Sequence, residues 1–140
     1  IAHWPQGISR SNGWYHEAAH LVDILPTLAD LAGGNIPASP KALEGISLKP
    51  SFSQKSLTAR KVPIGYNFGA GEGLRQGQWK LVRLKKHDWE LYNMKKDRTE
   101  TNNLAGQMPE KLQEMKKAYQ SWLTNTADGL IIQKKSNKKK

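Results

Sequence analysis

Residues 20–34 read HLVDILPTLADLAGG, and this stretch decides the fold of the first part of the chain. Asp23 stands where an N-cap would accept a hydrogen bond from a free backbone N–H, and Pro26 falls in the first turn, where its missing N–H breaks no helical bond. Gly33 and Gly34 then stop the helix. The pattern predicts a helix over Asp23–Ala32.

The predicted helix carries an apolar stripe of residues at helical spacing. Its members are Leu21, Ile24, Leu25, Leu28, Leu31 and Ala32. A helix this short is not stable alone, because nucleation is costly and most helical stability comes from packing. We therefore expect the stripe to need a large apolar partner layer.

Length and composition limit the classes of protein to consider. With 140 residues, 37% of them hydrophobic, the chain can build one core, or one small domain plus a piece of another. No apolar run approaches the roughly 20 residues that a membrane-spanning helix requires, so no membrane partner is expected. Because Cys is absent, disulfides, thiolate metal sites and a cysteine nucleophile are excluded within the chain. The opening Ile1–Pro5 is typical of a buried strand that runs into a loop, and we expect a fragment of a longer protein.

The charge of the chain is strongly positive and unevenly distributed. The formal net charge is +10, and half of this excess belongs to lysines within residues 129–140. A block of like charge either binds polyanions or remains solvated and disordered, and we interpret residues 129–140 as a disordered basic tail.

After a polar connector the apolar period changes from that of a helix to that of strands. Alternation around Ile64 predicts a strand, Gly69–Gly73 a flexible turn, and Gln76-Gly77 a tight hairpin. Further strands are predicted over Trp79–Leu84 and Trp89–Met94. Pro109 opens an amphipathic helix over residues 109–124, which can cover one face of the sheet.

The predicted fold class is α+β, with a small antiparallel β-sheet covered by a C-terminal helix and preceded by a helix and loops left over from a larger α/β domain. The polar connector places a boundary near residues 53–60. The predicted domains are residues 1–52, residues 53–128 and the tail 129–140.

Three local patterns are candidate sites of chemistry. His16 and His20 are four residues apart, but no third metal ligand follows at a sensible spacing, so we predict no metal site. The glycines of Gly69–Gly73 resemble a phosphate loop, but they do not open a helix, and a turn between strands explains them better. Trp79 and Trp89 could stack on nucleic acid, although aromatic residues at strand spacing are more typical of a core. We therefore do not expect nucleic acid as a partner.

The order of six motifs resembles the C-terminal third of an arylsulfatase, and the match is collinear from Trp4 to about Trp122. The motifs are Trp4-Pro5, His20–Gly33, Glu44–Leu48, Leu74–Val82, Trp89–Met94 and Asn103–Ala105. The resemblance implies the alkaline-phosphatase-like fold, whose large α/β domain would supply the partner layer of the first helix.

The resemblance also implies a catalytic apparatus that lies elsewhere. Sulfatases of this family use a formylglycine made from a Cys/Ser-x-Pro/Ala-x-Arg motif, and a calcium ion held by Asp and Asn side chains. No such motif occurs here, so we predict no catalytic residue, no metal site and no cofactor in this chain, and we assign calcium and formylglycine to the parent enzyme.

Many family members place a histidine at a strand end near the substrate, where this sequence has Tyr66-Asn67-Phe68-Gly69. Asn67, with Glu72 and Arg75, is the predicted rim of the substrate pocket in the complete enzyme, and the alternative is that these are ordinary strand and loop residues.

The sequence thus predicts a C-terminal fragment of a sulfuric ester hydrolase, inactive alone, that supports the catalytic domain and shapes the pocket. Its expected partners are the missing N-terminal domain, a sulfate ester in the parent, and a second copy bound through the exposed helix face. Export of the parent is a family expectation. The alternative is a non-catalytic module that binds sulfated glycans or nucleic acid through Arg83, Lys85, Lys86 and the lysine tail.

Overall fold

The structure, a computed structural model, describes residues 1–9, 13–36, 44–53 and 60–126. The chain divides into two compact units, Ile1–Val62 and Pro63–Lys140. Most of the predicted boundary region and the basic tail lie outside the described residues. The predicted domain limits therefore stay predictions.

The first unit is built around the predicted N-terminal helix. A 3₁₀ turn at Leu21–Asp23 leads into helix α1, Ile24–Leu31, and a second 3₁₀ turn follows at Lys49–Ser53. The helix prediction is confirmed to within one residue at each end. Gly33 has a φ of 65°, the left-handed conformation that commonly ends a helix and that glycine adopts without steric cost.

The predicted capping role of Asp23 is wrong in its detail. Asp23 precedes α1, but its side chain makes no cap hydrogen bond to that helix. Its carboxylate instead accepts a hydrogen bond from the backbone N–H of His20, at 2.8 Å, and thereby caps the 3₁₀ turn before α1. The sequence patterns did not indicate this turn, which places the N-cap at His20, three residues before the predicted Asp23.

The second unit contains a four-stranded antiparallel sheet in the order β1-β2-β3-β4. The strands are β1, Ile64–Asn67; β2, Gly71–Gln76; β3, Trp79–Leu84; and β4, Glu90–Asn93. The predicted hairpin is confirmed, since Gly77 has the positive φ of 55° that such a turn requires. The prediction of a turn throughout Gly69–Gly73 is wrong, because Gly71, Glu72 and Gly73 pair with β3.

Helix α2, Pro109–Asn125, packs against one face of this sheet. The core between them consists of five buried side chains, Leu74, Leu81, Leu91, Met115 and Tyr119. Trp79 and Trp89 pack against this cluster, which confirms the core interpretation of both aromatics. The predicted α+β class is confirmed.

Among the described residues, no helix combines the length and hydropathy needed to cross a bilayer.

Candidate functional site

The structure brings together two of the three predicted rim residues. Asn67 and Glu72 lie directly opposite each other in the register of β1 and β2, whereas Arg75 pairs with Ile64 toward the other end of these strands. Side chains alternate between the faces of a strand, so Glu72 lies on the α2 side with buried Leu74, and Arg75 lies on the opposite side. No observation tests the rim role of these residues, which stays a prediction.

Glu72 is a buried carboxylate that joins the sheet to α2. Arg83 Nε donates to Glu72 Oε1 at 2.6 Å, and the Tyr119 hydroxyl donates to Glu72 Oε2 at 2.6 Å. Both oxygens are therefore engaged inside the fold. Charge-assisted bonds of this kind are short and compensate the cost of burying the charge.

Arg83 is also held by an aromatic ring. Its guanidinium carbon lies 4.3 Å from the centre of the Trp89 ring. Trp89 in turn meets Tyr119 edge to face, with ring centroids 5.2 Å apart. Because Arg83 is committed to Glu72 and Trp89, it is a poor candidate for the polyanion contact that the alternative function assigns to it.

A second buried ion pair lies in the first unit. Arg60 Nη1 lies 2.7 Å and 2.8 Å from the two carboxylate oxygens of Asp23, and the side chains are 7% and 0% exposed. Arg60 also donates to the backbone oxygens of Glu44 and Val62, both at 2.9 Å. Burial by itself raises the pKa of Asp23, but the hydrogen bonds from Arg60 and from the Ile46 and His20 amides outweigh it and hold that pKa below its ordinary value.

Polar residues of α1 and its preceding turn bind the segment after residue 44. The Ile46 amide donates to Asp23 at 2.9 Å, and the Leu48 amide donates to the Thr27 hydroxyl at 2.9 Å. Asp30 accepts from the Ser47 hydroxyl at 2.7 Å, which lowers the pKa of that carboxyl. The polar side of this helix is thus its contact surface within the first unit.

The apolar stripe of α1 is correspondingly exposed. Leu21 is 78% exposed, Leu25 is 56% exposed and Leu28 is 58% exposed. A helix of a complete globular domain normally buries its apolar face and exposes its polar one. The arrangement here is the reverse, as expected if the partner layer of this helix lies outside the chain.

The sheet face opposite α2 contains an aromatic surface that the sequence patterns did not indicate. The rings of Tyr66 and Phe68 stack with centroids 5.9 Å apart and planes 29° from parallel. A β-carbon at position 71 would lie 3.0 Å from the Phe68 ring, and one at position 73 would lie 2.5 Å from the Tyr66 hydroxyl. The two glycines of β2 therefore leave room for the two rings, which is a steric role and not a phosphate-binding one.

Farther along this face the side chains are polar and interlocked. Lys80 pairs with Glu100, and the Tyr92 hydroxyl donates to Glu90 at 2.8 Å. Burial raises the pKa of Tyr66 to about 12, with a smaller contribution from the charge of Glu100. Burial also raises the pKa of Tyr92 to about 12, with support from its bond to Glu90. Both phenols thus stay protonated at neutral pH, and that of Tyr92 donates to Glu90.

The described residues do not form the metal site or the nucleophile of a sulfatase. In the described ranges there is no group of three His, Cys, Asp or Glu side chains that could hold a metal ion. The whole sequence contains no Cys and no Ser-x-Pro/Ala-x-Arg motif from which a formylglycine could be made. The described residues therefore do not provide ligands for such a metal ion, and the sequence does not provide the formylglycine precursor.

Comparison with known families agrees with the geometry of both units. Residues 1–128 match the model of the family described as N-sulphoglucosamine sulphohydrolase, C-terminal. The chain belongs to this family of sulfatase C-terminal regions.

Individual relatives of the chain are much longer sulfatases. It is 32% identical over 117 residues to arylsulfatase K of Xenopus laevis, over 72% of this chain and 21% of that protein. A putative sulfatase from Bacteroides thetaiotaomicron is 29% identical, with a TM-score of 0.60 over 76% of this chain and 25% of the other. A structure solved with its substrate, D-glucosamine-2-N,6-O-disulfate, is 27% identical, with a TM-score of 0.55 over 74% of this chain and 23% of the other. The chain thus spans about a quarter or less of the length of these relatives.

Proposed function

We propose that this chain is the C-terminal part of a sulfatase that hydrolyses sulfate esters, and that it supports a catalytic domain supplied by preceding sequence. In this role α1 completes the catalytic domain, and the sheet of the second unit contributes to the mouth of the substrate pocket. The chain alone is inactive, because it carries neither the formylglycine motif nor, among its described residues, a metal-binding cluster.

One observation carries the proposal within the molecule itself. Asp23, just before α1, and Thr27 within it are buried, whereas Leu25 and Leu28 of the same helix are exposed. Burying one leucine side chain stabilises a protein by about 1.5–3 kcal/mol, so an exposed stripe of this kind is a strong driving force for docking. Membership of a family of sulfatase C-terminal regions supports a preceding catalytic domain as the partner.

Relatives suggest the class of substrate. The family name refers to N-sulphoglucosamine, and one relative was solved with a glucosamine disulfate. We propose a sulfated sugar as the substrate, with calcium and formylglycine provided by the catalytic domain. Export from the cytoplasm is part of the same proposal.

The test compares the 140-residue chain with the longer protein formed together with its natural upstream sequence. Both are assayed against 4-nitrophenyl sulfate and glucosamine-2-N,6-O-disulfate, and mass spectrometry of the longer protein verifies the formylglycine. We expect turnover by the longer protein alone. Turnover by the isolated chain would overturn its supporting role, and a modified longer protein that hydrolyses neither ester would overturn the proposed activity.

The role of α1 is tested in the longer protein. Replacing Leu25 and Leu28 by Asp should abolish soluble, active enzyme, because charges would enter a buried apolar contact. The matched control is Gln120→Asp on the exposed surface of α2, which should leave activity unchanged. Equal activity of both variants would show that the α1 stripe does not contact the catalytic domain.

A further inference from the structure

The aromatic surface opposite α2 has the form of a platform. Phe68 is 58% exposed although its ring lies over Gly71 of the neighbouring strand. Tyr66 continues this surface over Gly73, and its ring stacks on that of Phe68. A side chain at either glycine would displace these rings, so the sequence of β2 keeps one flat apolar area accessible at the sheet surface.

A basic turn borders this platform. The Phe68–Gly71 turn is closed by reciprocal backbone hydrogen bonds between its two end residues, and the Lys85 amide donates to the Ala70 oxygen at 2.9 Å. The Lys85-Lys86 turn therefore lies directly beside the turn that carries Phe68. Both lysines are exposed, and no ion pair engages either of them within the described part of the chain.

The backbone of this basic turn is held in an uncommon conformation. Lys86 has a φ of 74°, in the left-handed region that non-glycine residues rarely adopt. Such strain persists only where the surrounding structure fixes it, and it is frequent at binding sites. The backbone conformation of Lys86 is independent of the exposure of the Phe68 ring, and both features lie at the same end of the sheet.

We propose that Phe68, Tyr66, Lys85 and Lys86 form a binding surface for a sulfated oligosaccharide. This proposal rests on the proposed function and extends it to sugar residues beyond the sulfate ester that reacts. The ring of Phe68 would pack against the apolar C–H face of a sugar ring, while the two ammonium groups would pair with sulfate groups. The two lysine charges are complementary to the negative charge of a polyanion, and the flat ring is complementary in shape to the face of a sugar ring.

The test measures binding of a heparin-derived hexasaccharide to the 140-residue chain by calorimetry, with the fully desulfated hexasaccharide as the ligand control. The variants are Phe68→Ala and the double variant Lys85→Gln with Lys86→Gln. The matched control is Lys95→Gln with Lys96→Gln, which removes the same charge from an exposed turn at the opposite end of the sheet. The lysine tail is present in every protein, so its contribution cancels in the comparison.

We expect each of the two platform variants to weaken binding by about fivefold to tenfold at low salt, and the control pair by less than about twofold. Amide chemical shifts in NMR spectra should change on saccharide addition at Phe68–Ala70 and Lys85–His87. Equal losses in the platform and control variants, or shift changes confined to the tail, would overturn the proposal.

A different occupant of the platform would give a different result. If the catalytic domain covers this surface, Phe68→Ala in the longer protein would lower its melting temperature and leave saccharide binding unchanged, which would also overturn the proposal. Turnover of 4-nitrophenyl sulfate by the longer protein distinguishes failure of the platform proposal from failure of the proposed function. If the platform variants retain turnover and bind the saccharide normally, only the platform proposal is refuted. If the wild-type longer protein carries formylglycine but shows no turnover, the proposed function is refuted.

Discussion

One guanidinium nitrogen of Arg60 lies 2.7 Å and 2.8 Å from the two carboxylate oxygens of Asp23, and both side chains are buried. The pair joins residues 37 positions apart in the sequence. Asp23 also accepts from the Ile46 amide. It therefore joins three segments of the first unit: its own turn before α1, the segment that contains Ile46, and the segment that contains Arg60.

Removal of the Asp23 carboxylate should strongly destabilise the first unit. Asp23→Ala leaves the Arg60 guanidinium buried without its partner, and breaking a buried pair in this way costs about 3–5 kcal/mol. The measurement is hydrogen exchange at the Ile46 and Leu48 amides, which should accelerate. Asp30→Ala removes a half-exposed carboxylate that pairs with Lys49 and accepts from the Ser47 hydroxyl; because this variant leaves no charge buried, it is the control and should have a smaller effect. Similar exchange rates in both variants would contradict the buried role of Asp23.

The hydroxyl of Tyr119 should contribute to the stability of the second unit. Tyr119→Phe removes the donor to Glu72 and leaves a buried carboxylate oxygen with one partner fewer, at a cost of about 1.5–3 kcal/mol. Urea unfolding followed by tryptophan fluorescence measures this change. Tyr15→Phe alters a phenol in the first unit that is 38% exposed, and it serves as the control. Unfolding midpoints that do not separate the two variants would argue against the buried bond.

Acid should weaken the first unit through Asp23. The pKa of this carboxyl in the folded state lies below its ordinary value of 3.8, so between these two values the unfolded chain binds more protons than the folded one. Stability therefore rises with pH in this window; the contribution is complete above about pH 4–5 and is lost as the pH falls through the folded-state pKa. The free energy of unfolding measured against pH should decline less steeply below this point in Asp23→Asn than in the unmodified chain. An equal decline in both proteins would assign the acid sensitivity to other groups.

Alkaline pH should weaken the second unit through two phenols. Burial holds the pKa of Tyr66 and of Tyr92 at about 12, compared with 10.0 for a free tyrosine. Between these values the unfolded chain releases protons that the folded chain retains, so stability falls as the pH rises past 10. Tyrosinate absorbance during a pH titration should show these two phenols ionising late. The double variant Tyr66→Phe with Tyr92→Phe should lose the part of the late phase that belongs to them, and a late phase of undiminished amplitude in this variant would contradict the assignment.

The glycine beneath Tyr66 should not tolerate a side chain. Gly73→Ala would bring a β-carbon to 2.5 Å from both the Leu81 oxygen and the Tyr66 hydroxyl, and overpacking of this kind costs about 1–3 kcal/mol. Gly69→Ala is the matched control, because a β-carbon there meets no atom within 4 Å. Thermal unfolding followed by circular dichroism should separate the two variants. If the two variants melt at comparable temperatures, the Tyr66 ring can move aside at little cost and the predicted overpacking is absent.

The fold could largely be predicted from the sequence because its signals are local. Pro109 and the apolar spacing behind it indicate α2, and Gly77 indicates the hairpin. The glycines of β2 led to a wrong prediction of a turn, because a glycine-rich run is typical of turns. Only the strand register shows that Gly71 and Gly73 pair with β3, beneath two aromatic rings.

The side-chain pairs could not be predicted, because their partners are distant in sequence. Tyr119 lies 47 positions from Glu72, and no local pattern relates the two residues. Asp23 was recognised as a capping residue, but its Arg60 partner belongs to the end of the polar connector. The family, in contrast, could be recognised from the order of short motifs, which does not depend on knowing their contacts.

The packing of Trp122 against Gly65 has a consequence for truncated forms of the protein. A side chain at position 65 would clash with the indole, so Trp122, in the last turns of α2, covers the face of β1 on the α2 side of the sheet. Apolar surface that loses such a cover promotes association between molecules. A protease cut before Trp122 would therefore do more than shorten a helix, since it would uncover this face of the sheet and favour self-association.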